Sequence, residues 1–260
     1  MKKDKFAERV KIAYLKNVVD SATRLIHFGI KELEGINFIN SDNYDIIFLL
    51  LSRGFELLMK SMICFKSYKD NKSFPTKKEM KEVGHDLDKL RKEIIKNYDK
   101  IPEDILKKIK KDIINDQEFI SNDNTLIKLI KLLSEFSKSG RYFELDFITK
   151  EEIFKQLNSG KRIIDYSNAP IINMKRLIDS HVVKDNPSLI NSDNLDDLNN
   201  AWSKENRLHI IPPLKKFTGA LARQFSLGIL GDKAKECISK DRYSYLNLKD
   251  YKVEDKDLDN

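Results

Sequence analysis

At 260 residues the chain has room for one large domain or two small ones, and it is long enough to bury a sizeable core. Its 40% hydrophobic and 34% charged residues, with 9 Gly and 6 Pro, exclude a many-stranded β protein, which needs more turn-formers. The formal net charge of +7 invites a polyanion as partner, yet most of it is interspersed in the manner of solvated helix faces.

In chain order, residues 5–36 are predicted to form a long amphipathic helix. Its apolar stripe is read as Val10, Ala13, Tyr14, Asn17, Val18, Ser21 and Leu25, and Gly35 ends it. Residues 44–65 are apolar nearly all round and long enough to span a bilayer. Arg53, Glu56 and Lys60 lie in their middle, however, where each would be costly in hydrocarbon, so a buried core helix is expected and no membrane. Residues 66–83 read as a connector. A helix then starts near Asp86, and residues 102–114 and 122–139 each read as a further helix.

Residues 141–149 look extended. Helical patterns return at 150–158, 170–183, 195–211 and 212–230, with Pro212 and Pro213 breaking or kinking the chain before the last. A polar tail begins at Leu246. The fold class expected is all-α, a helical bundle over 1–147, with additional helices over 148–245 and a tail over 246–260.

Chemistry has few places to sit. Cys64 and Cys237 lie inside apolar helical patterns and offer neither a disulfide framework nor a ligand spacing, and no secretory h-region is seen near the N-terminus, so a reducing cytoplasm is expected. On the second helix, Asp45, Ser52, Arg53, Glu56 and Lys60 form one polar stripe, and Glu56 and Lys60 stand in the favoured order for a helical ion pair. In "GHDLDKL" (84–90), Gly84 supplies an unusual backbone shape and Asp86 an N-cap. His85 is left over, and it is expected to reach the Glu56–Lys60 stripe and pin the connector to the core. A basic excess is local to residues 72–111, with thirteen Lys/Arg against eight Asp/Glu. A solvated surface is the plainer reading of that window. His27, His85, His181 and His209 show no mutual spacing for a metal site, so neither metal nor cofactor is expected. Arg207 and His209, two apart, do not face each other on a helix.

"FELLMK" (55–60), a variable loop, "GHDLDKL" and then "GRYFELDF" (140–147) together resemble helical proteins of the HEPN superfamily, including abortive-infection members. The resemblance covers roughly residues 44–147. It implies a bundle of four or five helices, often a homodimer, that binds or cleaves RNA or engages a protein partner in phage defence or toxin–antitoxin systems. Catalytic members carry an Arg followed after four to six residues by a His, which cleave RNA without a metal. The one spacing match here is "RLIDSH", Arg176 to His181, with Leu177 where such members place a polar residue. No histidine follows Arg141 at usable distance, although Arg141 can pair with Glu144 or Asp146. The reading placed first is a non-catalytic or RNA-binding or interaction module, with Arg53, Glu56, Lys60, His85 and Arg141 as a structural or binding polar cluster. The alternative is a metal-independent endoribonuclease using Arg176 and His181.

Overall fold

A computed structural model of the chain describes residues 2–37, 39, 43–101, 103–138, 169–191 and 194–238. The described residues form helices and connecting turns, with no strand among them. In chain order the helices are α1 (Lys2–Gly35), α2 (Tyr44–Asn71), α3 (Lys77–Val83), α4 (Leu87–Ile95), α5 (Glu103–Asn122) and α6 (Asn124–Lys138), then α7 (Ala169–Asp185), α8 (Leu195–Glu205), α9 (Ile211–Ser226) and α10 (Asp232–Ile238). Short 3₁₀ turns follow α4 and α7, and a π turn (Asn206–Ile210) joins α8 to α9. The extended segment expected at 141–149, the helix expected at 150–158, and Arg141 itself lie outside the described residues.

The centre of the fold is α2. Its side chains Phe48, Phe55, Leu58, Met59, Met62 and Phe65 are buried on several sides, as the almost continuous apolar run requires. Each fully buried phenylalanine of this kind stabilises the fold by roughly 1.5–3 kcal/mol. α1 lies along it, brought close by two glycines. A Cβ on Gly54 would come within 2.7 Å of Ile26 Cγ1 and 3.0 Å of the Ile26 backbone nitrogen, so only glycine lets the two backbones approach this far. The C-terminal helices complete the same core. Tyr44 meets Trp202 edge-on, Phe55 packs on Phe217, and Phe65 packs on Phe225. Among the described residues no helix is long and apolar enough to cross a membrane.

Three sequence expectations need correction. The buried face of α1 is Ile12, Val19, Ala22, Ile26, Ile30 and Leu33, whereas Val10 and Tyr14 are exposed. The helix carries two apolar stripes at three-four spacing, and the one that meets α2 is not the one the sequence analysis selected. Phe6, Val10 and Tyr14, each four residues from the next, form the exposed stripe. The expected connector 66–83 is largely helical. α2 continues to Asn71, helped by a Lys66–Asp70 ion pair at 3.1 Å, and ends where Lys72 turns left-handed (φ 55°) and its N–H reaches Tyr68 O. Thr76 and Glu79 then form a complete capping box that opens α3. Finally, α10 was not foreseen; its Ala234 and Cys237 are buried, and Lys16 holds Glu236 at 3.1 Å.

Candidate functional site

Two clusters of polar side chains stand out, and the sequence pointed to one of them. The first is built on α2 and the α3–α4 turn. Gly84 ends α3 with φ 65°, a conformation that favours glycine, and Asp86 caps α4 by accepting from the Lys89 N–H at 3.0 Å. Ser134 of α6 donates to Asp86 Oδ1 and accepts from the Leu87 N–H, and Lys138 pairs with the other Asp86 oxygen. Burial works to raise the Asp86 carboxyl, but these bonds outweigh it and hold it down to about 2.

This anchored turn places His85 against α2. His85 Nδ1 lies 3.0 Å from Glu56 Oε1, Lys60 Nζ lies 2.8 Å from the same oxygen, and Arg53 approaches it at 3.4 Å. Glu56 is 1% exposed, whereas the side chains of Arg53 and His85 are 44% and 60% exposed. Burial pushes the Glu56 carboxyl up, but hydrogen bonds from Lys60 and His85 prevail and keep it below its ordinary value. An ionised carboxylate can only accept, so the shared hydrogen sits on His85 Nδ1 and Nε2 is the ring's open nitrogen. The arrangement is one buried negative charge with the Lys60 and Arg53 cations and the His85 imidazole fanned out above it.

The second cluster lies between α7 and the π turn. His181 and His209 stack with ring centroids 4.0 Å apart and planes 9° apart. Beneath them is Glu205, buried to 1% exposure, with its Oε2 3.2 Å from His209 Nε2. Desolvation, then the neighbouring His209, lowers the His181 pKa. The π turn itself follows from Pro212 and Pro213. Neither can donate to the carbonyls four residues back, and the helix shifts register so that the Ile211 N–H bonds to Asn206 O instead. The two prolines therefore redirect the helix by one residue and then occupy the first turn of α9, so the chain is not broken there.

Arg176 and His181 are not brought together. Five residues apart on α7, they point about 140° from each other. Arg176 is exposed and donates to Asn173 of its own helix at 3.4 Å, while His181 faces His209. The sequence analysis weighed His209 against Arg207 and saw no metal spacing among the histidines; Glu205 was missed. The available signal was Glu205 and His209 four apart, the acid first. In the basic window, Lys92 pairs with Asp88, Lys96 pairs with Glu93, and Lys89 donates to Glu82 O, all within the window itself. Lys77, Lys78 and Lys81 of α3 remain exposed. A separate surface cleft between α5 and α9 is lined by Asp116, Phe119, Lys216 and Arg223 and holds none of the expected site residues.

Fold and clusters together define an all-α helical bundle with a cation-topped buried glutamate at one place and a histidine–glutamate cluster at another. No family model, no curated protein and no solved structure matches the chain.

Proposed function

We propose that the protein is a HEPN-like RNA-binding module of a bacterial defence or stress system, acting in the cytoplasm, with the Glu56 cluster as its phosphate contact. The observation that supports this reading most is the exposure of Arg53 and His85 above a fully buried Glu56. Glu56 fixes both groups in place but cancels only one of the two charges of Arg53 and Lys60, so the surface above it keeps a cationic surplus. α3, with Lys77, Lys78 and Lys81 exposed, leads directly into His85 and extends the basic surface. A homodimer belongs to the same reading, and the exposed stripe of Phe6, Val10 and Tyr14 on α1 is the apolar surface that favours it. The alternative, a metal-independent endoribonuclease using Arg176 and His181, has less in its favour because the two side chains diverge on α7.

The test is fluorescence anisotropy of the purified full chain with a labelled single-stranded RNA at several salt concentrations. Affinity is expected to fall steeply with salt and to weaken in Arg53→Ala and in His85→Ala, with the RNA left intact. Salt-independent binding, or both variants binding like the parent, overturns the reading. Cleavage of the RNA that disappears in His181→Ala would establish the alternative instead.

A further inference from the structure

Among the described residues, Glu205 is the buried carboxylate with least to hold it. Glu56 has a lysine, an arginine and a histidine, and Asp116 has a bidentate arginine, Arg223. Among the described residues Glu205 has only His209, and although the two atoms are 3.2 Å apart, Oε2 accepts no aligned hydrogen bond. A carboxylate left in that condition costs several kcal/mol unless a cation reaches it.

The groups around it are of the kinds that ligate metals. One ligand atom each from His181, Glu205 and His209 lies within 4.8 Å of the other two. A divalent first-row ion bound at about 2.0–2.2 Å to nitrogen and oxygen holds its ligand atoms roughly 3–4 Å apart. Glu205 and His209 already stand at that spacing, 3.2 Å apart, so the site asks only that the His181 ligand atom move in toward them. Two elements converge to make the set: α7 carries His181, and the π turn carries His209 next to the end of α8. Such single π turns recur at functional sites because they re-aim a side chain within an otherwise regular helix. Both imidazoles are partly exposed, so an ion can enter from solvent, while Glu205 closes the inner side. Asp185 adds negative charge near His181, and Lys184 opposes it.

We propose that His181, Glu205 and His209 form a binding site for one divalent first-row transition-metal ion. Two nitrogens and a carboxylate without sulfur suit Zn²⁺, Co²⁺ or Fe²⁺ in preference to Mg²⁺ or Cu⁺. Three protein ligands leave at least one coordination position to water, the layout of a site that can polarise a bound molecule, whereas a closed structural site has none to spare. His181 then serves as a ligand and is not available as the proton-handling base of an Arg176–His181 nuclease. The proposal is independent of RNA binding through the Glu56 cluster, since a metal titration needs no RNA.

The experiment strips the purified full chain with a chelator and titrates it with Zn²⁺ by calorimetry and with Co²⁺ by visible absorption. One ion per chain is expected, with a melting temperature that climbs as free Zn²⁺ rises. His181→Ala and His209→Ala should each weaken binding by more than about tenfold. His85→Ala, which removes the imidazole of the other cluster, should bind like the parent. Glu205→Gln should also lose the ion, but because it is buried its fold is checked separately by circular dichroism, and the partly exposed His181 carries the conclusion. Undiminished binding in both His181→Ala and His209→Ala, no saturable binding at all, or a site lost with His85 would each overturn the assignment.

Discussion

Replacing Glu56 by glutamine keeps the shape of the side chain and removes the charge on which three groups converge. Lys60, 2.8 Å away and only 20% exposed, loses a charge-assisted hydrogen bond worth about 1.5–3 kcal/mol and cannot easily turn to water. Arg53 and His85 are open enough to rehydrate, so their share is about 0.2–1 kcal/mol each. Against these losses stands the relief of no longer burying an anion, which offsets part of them. A net destabilisation of about 2–3 kcal/mol results, or roughly 4–12 °C in Tm for a chain of this size. Urea unfolding of parent and variant measures it, with an unchanged slope expected.

The pH dependence supplies a second reading of the same group. The Glu56 carboxyl lies below its ordinary value of 4.5 in the fold, so on acidification the unfolded chain takes up that proton first. Its stabilisation is present above 4.5 and is lost as the pH falls through the lower folded value. Glu56→Gln should therefore show a shallower acid decline than the parent. A variant within about 0.5 kcal/mol of the parent, or one more stable than it, would refute the reasoning by showing that desolvation cancels the three contacts.

Two further predictions concern the scaffold around that cluster. Gly54→Ala should destabilise by about 1–3 kcal/mol or more, because the new Cβ meets Ile26 at 2.7 Å and the α1 backbone behind it; denaturant unfolding near parent stability would contradict the close approach. Asp86→Ala should cost about 1–2 kcal/mol as the α4 cap is lost. Because Asp86 is lowered from 3.8 to about 2, the difference between parent and variant should shrink as the pH falls through that interval, and a constant difference would argue against the Lys138, Lys89 and Ser134 contacts.

How much of this was legible depended on sequence distance. Glu56 and Lys60 are one helical turn apart, so their pairing follows from spacing. His85 could be aimed at them because Gly84 and Asp86 account for their own positions and leave the imidazole without a local task. α1 was harder, since either of its two apolar stripes satisfies the helical period and only the partner helix selects one. The His181–Glu205–His209 cluster was out of reach for a different reason. It needs α7 against α8, a tertiary contact that Trp202 helps fix by donating to Asp179 at 3.0 Å, and it needs the register shift that Pro212 and Pro213 impose. Proline in the sequence announced a disturbance and did not say which way the helix would turn.

The packing of α2 also has a consequence for how the chain is made. Tyr44, Phe55 and Phe65 wait for partners on α8 and α9, since Trp202, Phe217 and Phe225 lie roughly 160 residues beyond them, a stretch that takes roughly 8–30 s to synthesise. Throughout that interval the most apolar of the described helices has α1, α4 and α6 against it, while the face that will meet α8 and α9 stays open. A nascent chain halted before residue 200 would therefore present a sticky, chaperone-binding surface, and release of that surface should coincide with emergence of α9 from the ribosome.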